Sequence, residues 1–544
     1  MKTPVYKCLN PTGIEADIER RPLCPRRPLK GGAVYLLDIG RPNSDVLISI
    51  ARKHIAERLP DSELIYYCKE KGYRYDESEQ WWDVLYKQAT AVILFVGDCG
   101  SGTMRTITLQ NQLESHNIPT VSLVCTPFIR DAAAVSRTLG RPSLRWTEIP
   151  YPITDISNED LENNIVPAMD ALVAGLTAPL SAEDVSTETI TAEPQKRYIT
   201  EGTLEKVQAF FSTNELSDGL PVIPPTDEAV AEMLRGTSHA PEEVVGKLAP
   251  EYLTATVEKV AINAVMCGCR PEHMPILLTI CETLADKELD VNVSSRSTTG
   301  FAYWAFVNGP AAREIGMNAS TNALGPGNLA NASIGRAVRM FINNLGGSRV
   351  GINEMATMGT PLKYGFAFAE NEEESPWSPY HVDKGFAPDE SCVTVCESWG
   401  FRTQGLTSRG KVMGLQNILW SAQNVDSAFG LGKERGIMIL LDPLLAKQLA
   451  AQGYTKADVS EYMWKNLTRT VGEWKENLSY SVDLRGHLYP AEFEALPDDA
   501  LIPKFAGPEN IQVVVVGGKN SPFYQIYDSV NPYHCVTKSI EKWR

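Results

Sequence analysis

Long apolar runs are missing from this 544-residue chain. Its strongly hydrophobic stretches have the length of strands, which excludes a conventional transmembrane helix. The first thirty residues hold the basic, proline-containing segment Arg20-Arg21-Pro22-Leu23-Cys24-Pro25-Arg26-Arg27 and no apolar core long enough for a signal peptide. Basic residues are also in deficit: 51 Lys and Arg against 67 Asp and Glu leave a net charge of −16. A surface that acidic repels phosphate backbones and anionic lipid, so neither nucleic acid nor membrane is an expected partner. Cysteines number 11, an odd count too sparse for a disulfide framework, and point to thiols in a reducing, cytoplasmic setting. There is no fixed-period repeat, and neither a Gly-x-x-x-x-Gly-Lys-Ser/Thr loop nor a completed Gly-x-Gly-x-x-Gly fingerprint.

What is present is a globular composition, 43% apolar and 22% charged, on a chain long enough for two large domains or three to four smaller ones. The polar stretch 177–200, with Ser181-Ala182-Glu183-Asp184 near its start, has no sustained periodicity and is expected to be a linker. Before it, apolar runs at Ala33–Ile39, Glu63–Tyr67, Ala91–Val96 and Thr120–Val124 alternate with segments of helical length. That pattern predicts a flavodoxin-like or Rossmann-like parallel-sheet domain over residues 30–176. After it, residues 201–544 are expected to form a larger α/β or α+β domain. Its helices are expected at Leu204–Phe211, Ala255–Met266, Pro271–Ala285 and Leu329–Leu345, and its strands at Phe301–Val307, Tyr364–Phe368, Gly436–Leu441 and Ile511–Val516.

The sharpest local feature is Val92-Ile93-Leu94-Phe95-Val96-Gly97-Asp98-Cys99-Gly100-Ser101-Gly102-Thr103, a buried-strand signature running into a glycine-rich turn and a helix. Ligands of open parallel sheets bind outside the carboxyl ends of the strands. Cys99 sits at such an end, beside the first amides of the next helix, whose partial positive charge favours an anion. A thiol there is expected to be held as a nucleophilic thiolate. The competing reading makes Cys99 filler at a strand end and the glycines an ordinary anion turn. Asp98 is ambiguous, since its carboxylate either relays a proton or opposes thiolate formation. Cys125, ending the next expected strand, is a candidate neighbour of Cys99 or a buried core residue.

Cys99-Gly100-Ser101 resembles the UGSC-like family, named for a selenocysteine or cysteine followed by Gly-Ser-Cys at a strand end. Thr103 opening a helix and Asn117-Ile118-Pro119-Thr120-Val121 entering the next strand extend the resemblance over roughly residues 30–175. It implies that Cys99 carries the chemistry, and it links the chain to selenoproteins of glycine-reductase type. The fourth motif position, usually a second cysteine, is Gly102, so no disulfide forms within this loop. A lone nucleophile, an external thiol or a resolving cysteine from elsewhere remains. The second part resembles a large uncharacterised domain associated with UGSC-like proteins, through Cys269-Arg270-Pro271-Glu272, the Asn331-Ala332-Ser333-Ile334-Gly335-Arg336 helix and Glu370-Asn371-Glu372.

Further candidates lie in that second part. Pro271 disfavours helix at Arg270 and suits a first helical position, so one helix should end near Cys267 and another begin at Pro271. Cys269 then precedes a helix N-terminus and is a candidate resolving or second catalytic thiol. A zinc site at Cys267, Cys269 and His273 and a purely structural bend are the alternatives. Asn328 is a plausible N-cap whose helix start, with Asn331, Ser333 and Arg336, suits a carboxylate or phosphate; buried amides satisfying loop backbone are the competing account. Glu370 and His381 are candidate general acid or base groups, or parts of a solvated acidic helix start. Lys519 adds charge to the turn Gly517-Gly518.

These residues lead to the expectation of a cysteine-dependent enzyme acting on a small, anionic electrophile. Cys99, Cys269, Asp98, Ser101, Thr103, Glu370 and His381 are the candidate catalytic residues. Gly100, Gly102, Cys267, Arg270, Asn328, Asn331, Ser333, Arg336 and Lys519 are the candidate substrate contacts. No cofactor is required by the sequence, and a homo-oligomer is expected on general grounds. A persulfide carrier and a non-catalytic binding or assembly protein are the alternatives.

Overall fold

A computed structural model of the protein describes residues 4–41, 43–68, 79–405, 414–423, 436–477, 495–530 and 535–544. The chain opens with a short strand, β1 (Tyr6–Leu9), followed by β2 (Ala33–Asp38), α1 (Ser44–Arg58), β3 (Glu63–Cys68), α2 (Glu79–Gln88) and β4 (Ala91–Gly97). Next come α3 (Gly100–Ser115), β5 (Thr120–Cys125), α4 (Ile129–Thr138), β6 (Trp146–Ile149), α5 (Asn158–Ile165) and α6 (Met169–Thr177). Strands β2 to β6 form one five-stranded, wholly parallel sheet in the order β3-β2-β4-β5-β6. The expected strands are thus found within a residue or two of their predicted ends.

Period two along each strand divides the side chains between two cores. Val34, Leu36, Ile93, Phe95, Val121 and Leu123 face α1, α4, α5 and α6. Tyr35, Leu37, Val92 and Leu94 face the other way, toward Trp82 and Leu85 of α2 and Leu113 of α3. Every residue of β4 and β5 is buried, which is why those strands read as unbroken apolar runs. Each fully buried branched or aromatic side chain contributes about 1.5–3 kcal/mol to such cores.

The following strands are β7 (Tyr198–Gly202), β8 (Val244–Leu248), β9 (Leu253–Thr256), β10 (Ala302–Asn308), β11 (Ala367–Ala369), β12 (Cys392–Ser398) and β13 (Gly400–Gly405). They continue with β14 (Gly436–Leu441), β15 (Thr468–Thr470), β16 (Leu501–Pro503), β17 (Ile511–Val515), β18 (Phe523–Val530) and β19 (Val536–Ser539). β1 pairs with β7, so the amino-terminal arm is bound to the larger region. Two four-stranded sheets, β11-β10-β12-β19 and β13-β18-β14-β17, dominate that region. Trp304, Phe306, Phe368 and Cys396 of the first share one core with Met438, Leu440, Val514 and Tyr527 of the second. The outer face of the first sheet packs on the helices Val257–Cys267, Met274–Leu284 and Leu329–Met340. That of the second packs on Gly414–Gln423, Pro443–Ala451 and Lys456–Asn466. The result is a helix–sheet–sheet–helix stack, and the whole chain is α/β. No helix among the described residues is long and apolar enough to cross a membrane.

One strand expectation needs correction. Residues Pro361–Tyr364 form a 3-10 turn, and β11 begins only at Ala367. Gly365 lies at φ +81 between them, and a Cβ there would stand 2.1 Å from the Gly335 carbonyl oxygen. The close approach of this turn to the neighbouring helix overrides the apolar pattern that suggested a longer strand.

The two regions meet at Arg296, which ends the short helix Val291–Arg296 and is 1% exposed. Its guanidinium pairs with Asp131 of α4 and donates to the Pro250 carbonyl at 2.7 Å and to Asn292 Oδ1 at 3.0 Å. Asn292 Nδ2 donates in turn to Met104 Sδ on α3 at 2.9 Å. Removing one member of a buried ion pair leaves the other charge without a partner and costs about 3–5 kcal/mol. Arg296→Ala is therefore expected to lower the apparent melting midpoint by several degrees. The apolar double replacement Arg296→Met with Asp131→Leu should recover most of that loss in the same calorimetric measurement.

Candidate functional site

The strand order β3-β2-β4-β5-β6 reverses direction between β2 and β4. The carboxyl ends of those two strands flank the crevice where doubly wound sheets bind ligands. Asp38 ends β2 and Gly97 ends β4, so the residues that follow, 39–41 and 98–99, meet across this crevice. The first loop is pinned by the buried Asp38 carboxylate. It accepts from Gly40 N–H at 2.8 Å, from Ser44 Oγ at 2.6 Å and from the Tyr66 hydroxyl at 2.8 Å. The Arg41 carbonyl is held by the Ser44 hydroxyl at 2.6 Å. Arg41 is thereby set beside the second loop.

Cys99 is the N-cap of α3. Its backbone is extended (φ −155, ψ 169), and its sulfur accepts from Gly102 N–H at 3.2 Å. Serine, threonine, aspartate and asparagine are the usual residues there, because the cap atom must accept from the first free amides of the helix. Arg41 Nη2 donates to the same sulfur at 3.2 Å, and Arg41 Nε to Asp98 Oδ1 at 2.6 Å. The Ser101 hydroxyl lies 3.6 Å from Cys99 Sγ. Asp98 was ambiguous from sequence; the guanidinium between it and the sulfur now offsets its charge. The Cys99 side chain is 8% exposed and that of Arg41 20%.

The glycines of the loop have separate reasons. A Cβ on Gly102 would stand 3.0 Å from Cys99 Sγ, and one on Gly100 would overlap the Arg296 carbonyl oxygen at 1.7 Å. The second region therefore roofs the first turn of α3. Thr103 is fully buried, its backbone N–H donating to the Cys99 carbonyl at 2.8 Å and its hydroxyl packed where a Cβ on Gly97 would fall, 2.7 Å away. Arg105, one turn into α3, is influenced by Arg41 and Asp290; burial first and then Arg41 bring its pKa down to about 9. Cys125 ends the adjacent strand and is fully buried. Burial, followed by the charges of Asp98 and Cys99, pushes its thiol far up.

The other sequence candidates lie at separate places. Cys267 ends a helix capped by Gly268 at φ +81, and a 3-10 turn begins at Pro271, as the bend predicts. The expectation of an activated Cys269 is reversed in direction. Burial pushes its thiol up to about 12 although Ser333 and Arg336 pull it down, and the Cys267 thiol rises further for the same first cause. Arg336 is spent on Asp218, with bonds of 2.7 and 2.8 Å, and the Arg270 amide donates to His273 Nδ1 at 3.3 Å. Among the described residues no group of three or more His, Cys, Asp or Glu is placed to hold a metal ion.

Asn328 caps its helix, accepting from Asn331 N–H at 3.0 Å. The Asn331 amide is occupied by Asn318 and by the Ala323 carbonyl, and Ser333 Oγ donates to Leu329 O at 2.7 Å. These amides satisfy loop backbone, the competing account given above. Glu370 accepts from Asn308 at 2.6 Å and from Tyr380 N–H at 2.7 Å, and Lys456 lies 3.3 Å away. His381 is fully buried with Nε2 on the Ala387 carbonyl at 3.1 Å. Lys519 pairs with Glu374 at 2.8 Å. These contacts tie each residue to its own surroundings rather than to Cys99.

With this geometry in hand, the family comparison is direct. Residues 7–178 match the UGSC family. The match takes in nearly all of β1 and the whole parallel sheet. The chain matches no curated protein. One solved structure titled "flavone reductase" is similar over 27% of this chain at 10% identity and a TM-score of 0.19, with the chain spanning 63% of that structure's length. A likeness that slight bears on neither fold nor function.

Arg41 of the UGSC domain was not singled out from sequence. The available signal was its place directly after the carboxyl end of β2, at the switch point. The contrast among cysteines gives a direct check. Burial pushes Cys24, Cys269 and Cys392 up to about 12, so at pH 8 only about 10⁻⁴ of each is thiolate. Brief iodoacetamide treatment of the native protein at pH 8, followed by peptide mass mapping, should leave these three unlabelled. Their labelling should rise about tenfold per pH unit for as long as the fold persists.

Proposed function

We propose that the UGSC domain is the reacting half of a cysteine-dependent enzyme, in which Cys99 attacks a small, anionic, electrophilic substrate. The observation that carries this reading is the double donation to one sulfur, from the Gly102 amide and the Arg41 guanidinium, at the switch point of a parallel sheet. Both donors stabilise negative charge on sulfur, and charge-assisted bonds of this kind are about twice as strong as neutral ones. Arg41 has a second task, since it offsets the Asp98 carboxylate that would otherwise repel a thiolate.

In this reading Sγ gives its electron pair to an electrophilic carbon, and a carbon–sulfur bond forms as charge leaves toward the substrate's acceptor group. Arg41, whose side chain is 20% exposed beside the sulfur, attracts the substrate's anionic end. Ser101, with its hydroxyl 3.6 Å from sulfur, is the nearest neutral proton donor or acceptor in the loop. The reactions that share this first step are carbon–sulfur bond making or breaking, hydration or elimination through a thioether and, with an external thiol as the two-electron reductant, reductive cleavage of a carbon–heteroatom bond.

The test is a rate comparison. At pH 7 Cys99 should be alkylated at least tenfold faster than any other cysteine of the native protein. Arg41→Gln should slow that labelling by about tenfold, with Arg41→Lys in between. Labelling of Cys99 no faster than of Cys68, or unchanged in Arg41→Gln, would remove the proposal. A mass increment of one sulfur on Cys99 in the protein as isolated would replace it by the persulfide carrier.

A further inference from the structure

A second pair of thiols lies away from Cys99, in the sheet β11-β10-β12-β19. β12 and β19 are antiparallel with Cys392 opposite Ser539, Val393 opposite Lys538, Thr394 opposite Thr537 and Val395 opposite Val536. One step further along the same register, Cys396 faces Cys535. Both belong to the core between the two sheets of the larger region. Both are free cysteines. Residues directly opposed across antiparallel strands have Cα atoms about 4.5–5.5 Å apart, inside the window of about 4.4–6.8 Å that a disulfide needs. Continuing the register by one step therefore places the pair at a spacing that suits a disulfide.

Access is unequal. Cys396 is fully buried, while Cys535, just before β19, is 7% exposed. β19 is an edge strand that leads into the carboxyl-terminal turn. Trp543 there is anchored by its indole N–H on Glu282 at 2.7 Å, and Lys542 reaches the same carboxylate at 2.8 Å. A link between 396 and 535 would close a loop of roughly 140 residues and tie this edge to the centre of the sheet.

We propose that Cys396 and Cys535 form a reversible disulfide that latches the carboxyl-terminal strand when a peroxide is the oxidant. The Cys535 sulfur attacks the peroxide O–O bond and becomes a sulfenic acid, and the distal oxygen leaves as water. Cys396 then attacks the sulfenic sulfur, the S–S bond forms, and a second water leaves. Two thiols and one hydrogen peroxide thus give one disulfide and two waters; an external thiol returns both cysteines to the reduced state. The latch involves no residue of the Cys99 site.

The experiment treats the full chain, both unaltered and as Cys99→Ser, with one equivalent of hydrogen peroxide. Free thiols are then blocked with N-ethylmaleimide and the protein is mapped without reductant. The expected result in both is a linked peptide pair joining Cys396 to Cys535, about 2 Da lighter than the sum of its reduced parts and split by dithiothreitol. The apparent melting midpoint should rise by about 5 °C on oxidation and fall back on reduction, and Cys535→Ala should show neither change. Recovery of both residues as maleimide adducts after unfolding, while other cysteines have oxidised, would overturn the proposal. So would Cys535 found as a sulfinic acid. The map of the unaltered chain decides the matter even where a Cys535 variant fails to fold, and the Cys99→Ser arm separates this outcome from the chemistry proposed for Cys99.

Discussion

A sulfur atom caps α3, and the surrounding loop is organised around that substitution of sulfur for oxygen. A neutral thiol is a weak acceptor of hydrogen bonds, whereas an anionic sulfur accepts amide and guanidinium donors well. The chain delivers the sulfur by running a fully buried strand up to Gly97 and turning at once into the helix, with Thr103 packed against the glycine. The turn leaves no distance over which the cap can drift. Its partner loop is fixed independently by Asp38, so the Arg41 guanidinium reaches the sulfur from the other side of the crevice. The geometry at Cys99 thus comes from two strand ends, each anchored by its own buried polar contacts.

The larger region contributes to the same site from above. Arg296 sends its side chain to Asp131 on α4 while its carbonyl oxygen rests on Gly100, so one residue both joins the regions and covers the first turn of α3. Burial pushes the Asp131 carboxyl up to about 6 even though Arg296 pulls it down, so the ion pair compensates only part of the desolvation. A buried pair of this kind is a device of register more than of net stability. Apolar residues would fill the space as well, but they would not fix the height of the Arg296 carbonyl above the helix.

The parallel sheet was legible because burial on both faces forces continuous apolar runs, and the alternation with helical segments leaves few arrangements. The bend at Cys267–Pro271 was legible because proline acts on its own and its neighbour's backbone. The stack of two four-stranded sheets was not. β12 and β18 find their partners across long separations, and pairing of that kind leaves no local signature. The same limit applies to the site. Cys99 announces itself through the strand–glycine–helix pattern around it, whereas Arg41 becomes a partner only because the strand order places 41 beside 99. Cys269 shows the opposite failure: its local sequence suggests a helix start, but its burial in the core of the larger region pushes the thiol up.

Gly102 joins these observations. A side chain at this position would emerge 3.0 Å from Cys99 Sγ, 3.1 Å from Asp98 Oδ1 and 3.3 Å from Arg41 Nε. The space next to the Cys99 sulfur is thus already occupied by an ion pair. A side chain at 102 would therefore press on the sulfur, on the Asp98 carboxylate and on the guanidinium together, and each would have to give by a few tenths of an ångström. With no side chain at 102, the Gly102 amide and the Arg41 guanidinium both reach Cys99 Sγ, each at 3.2 Å.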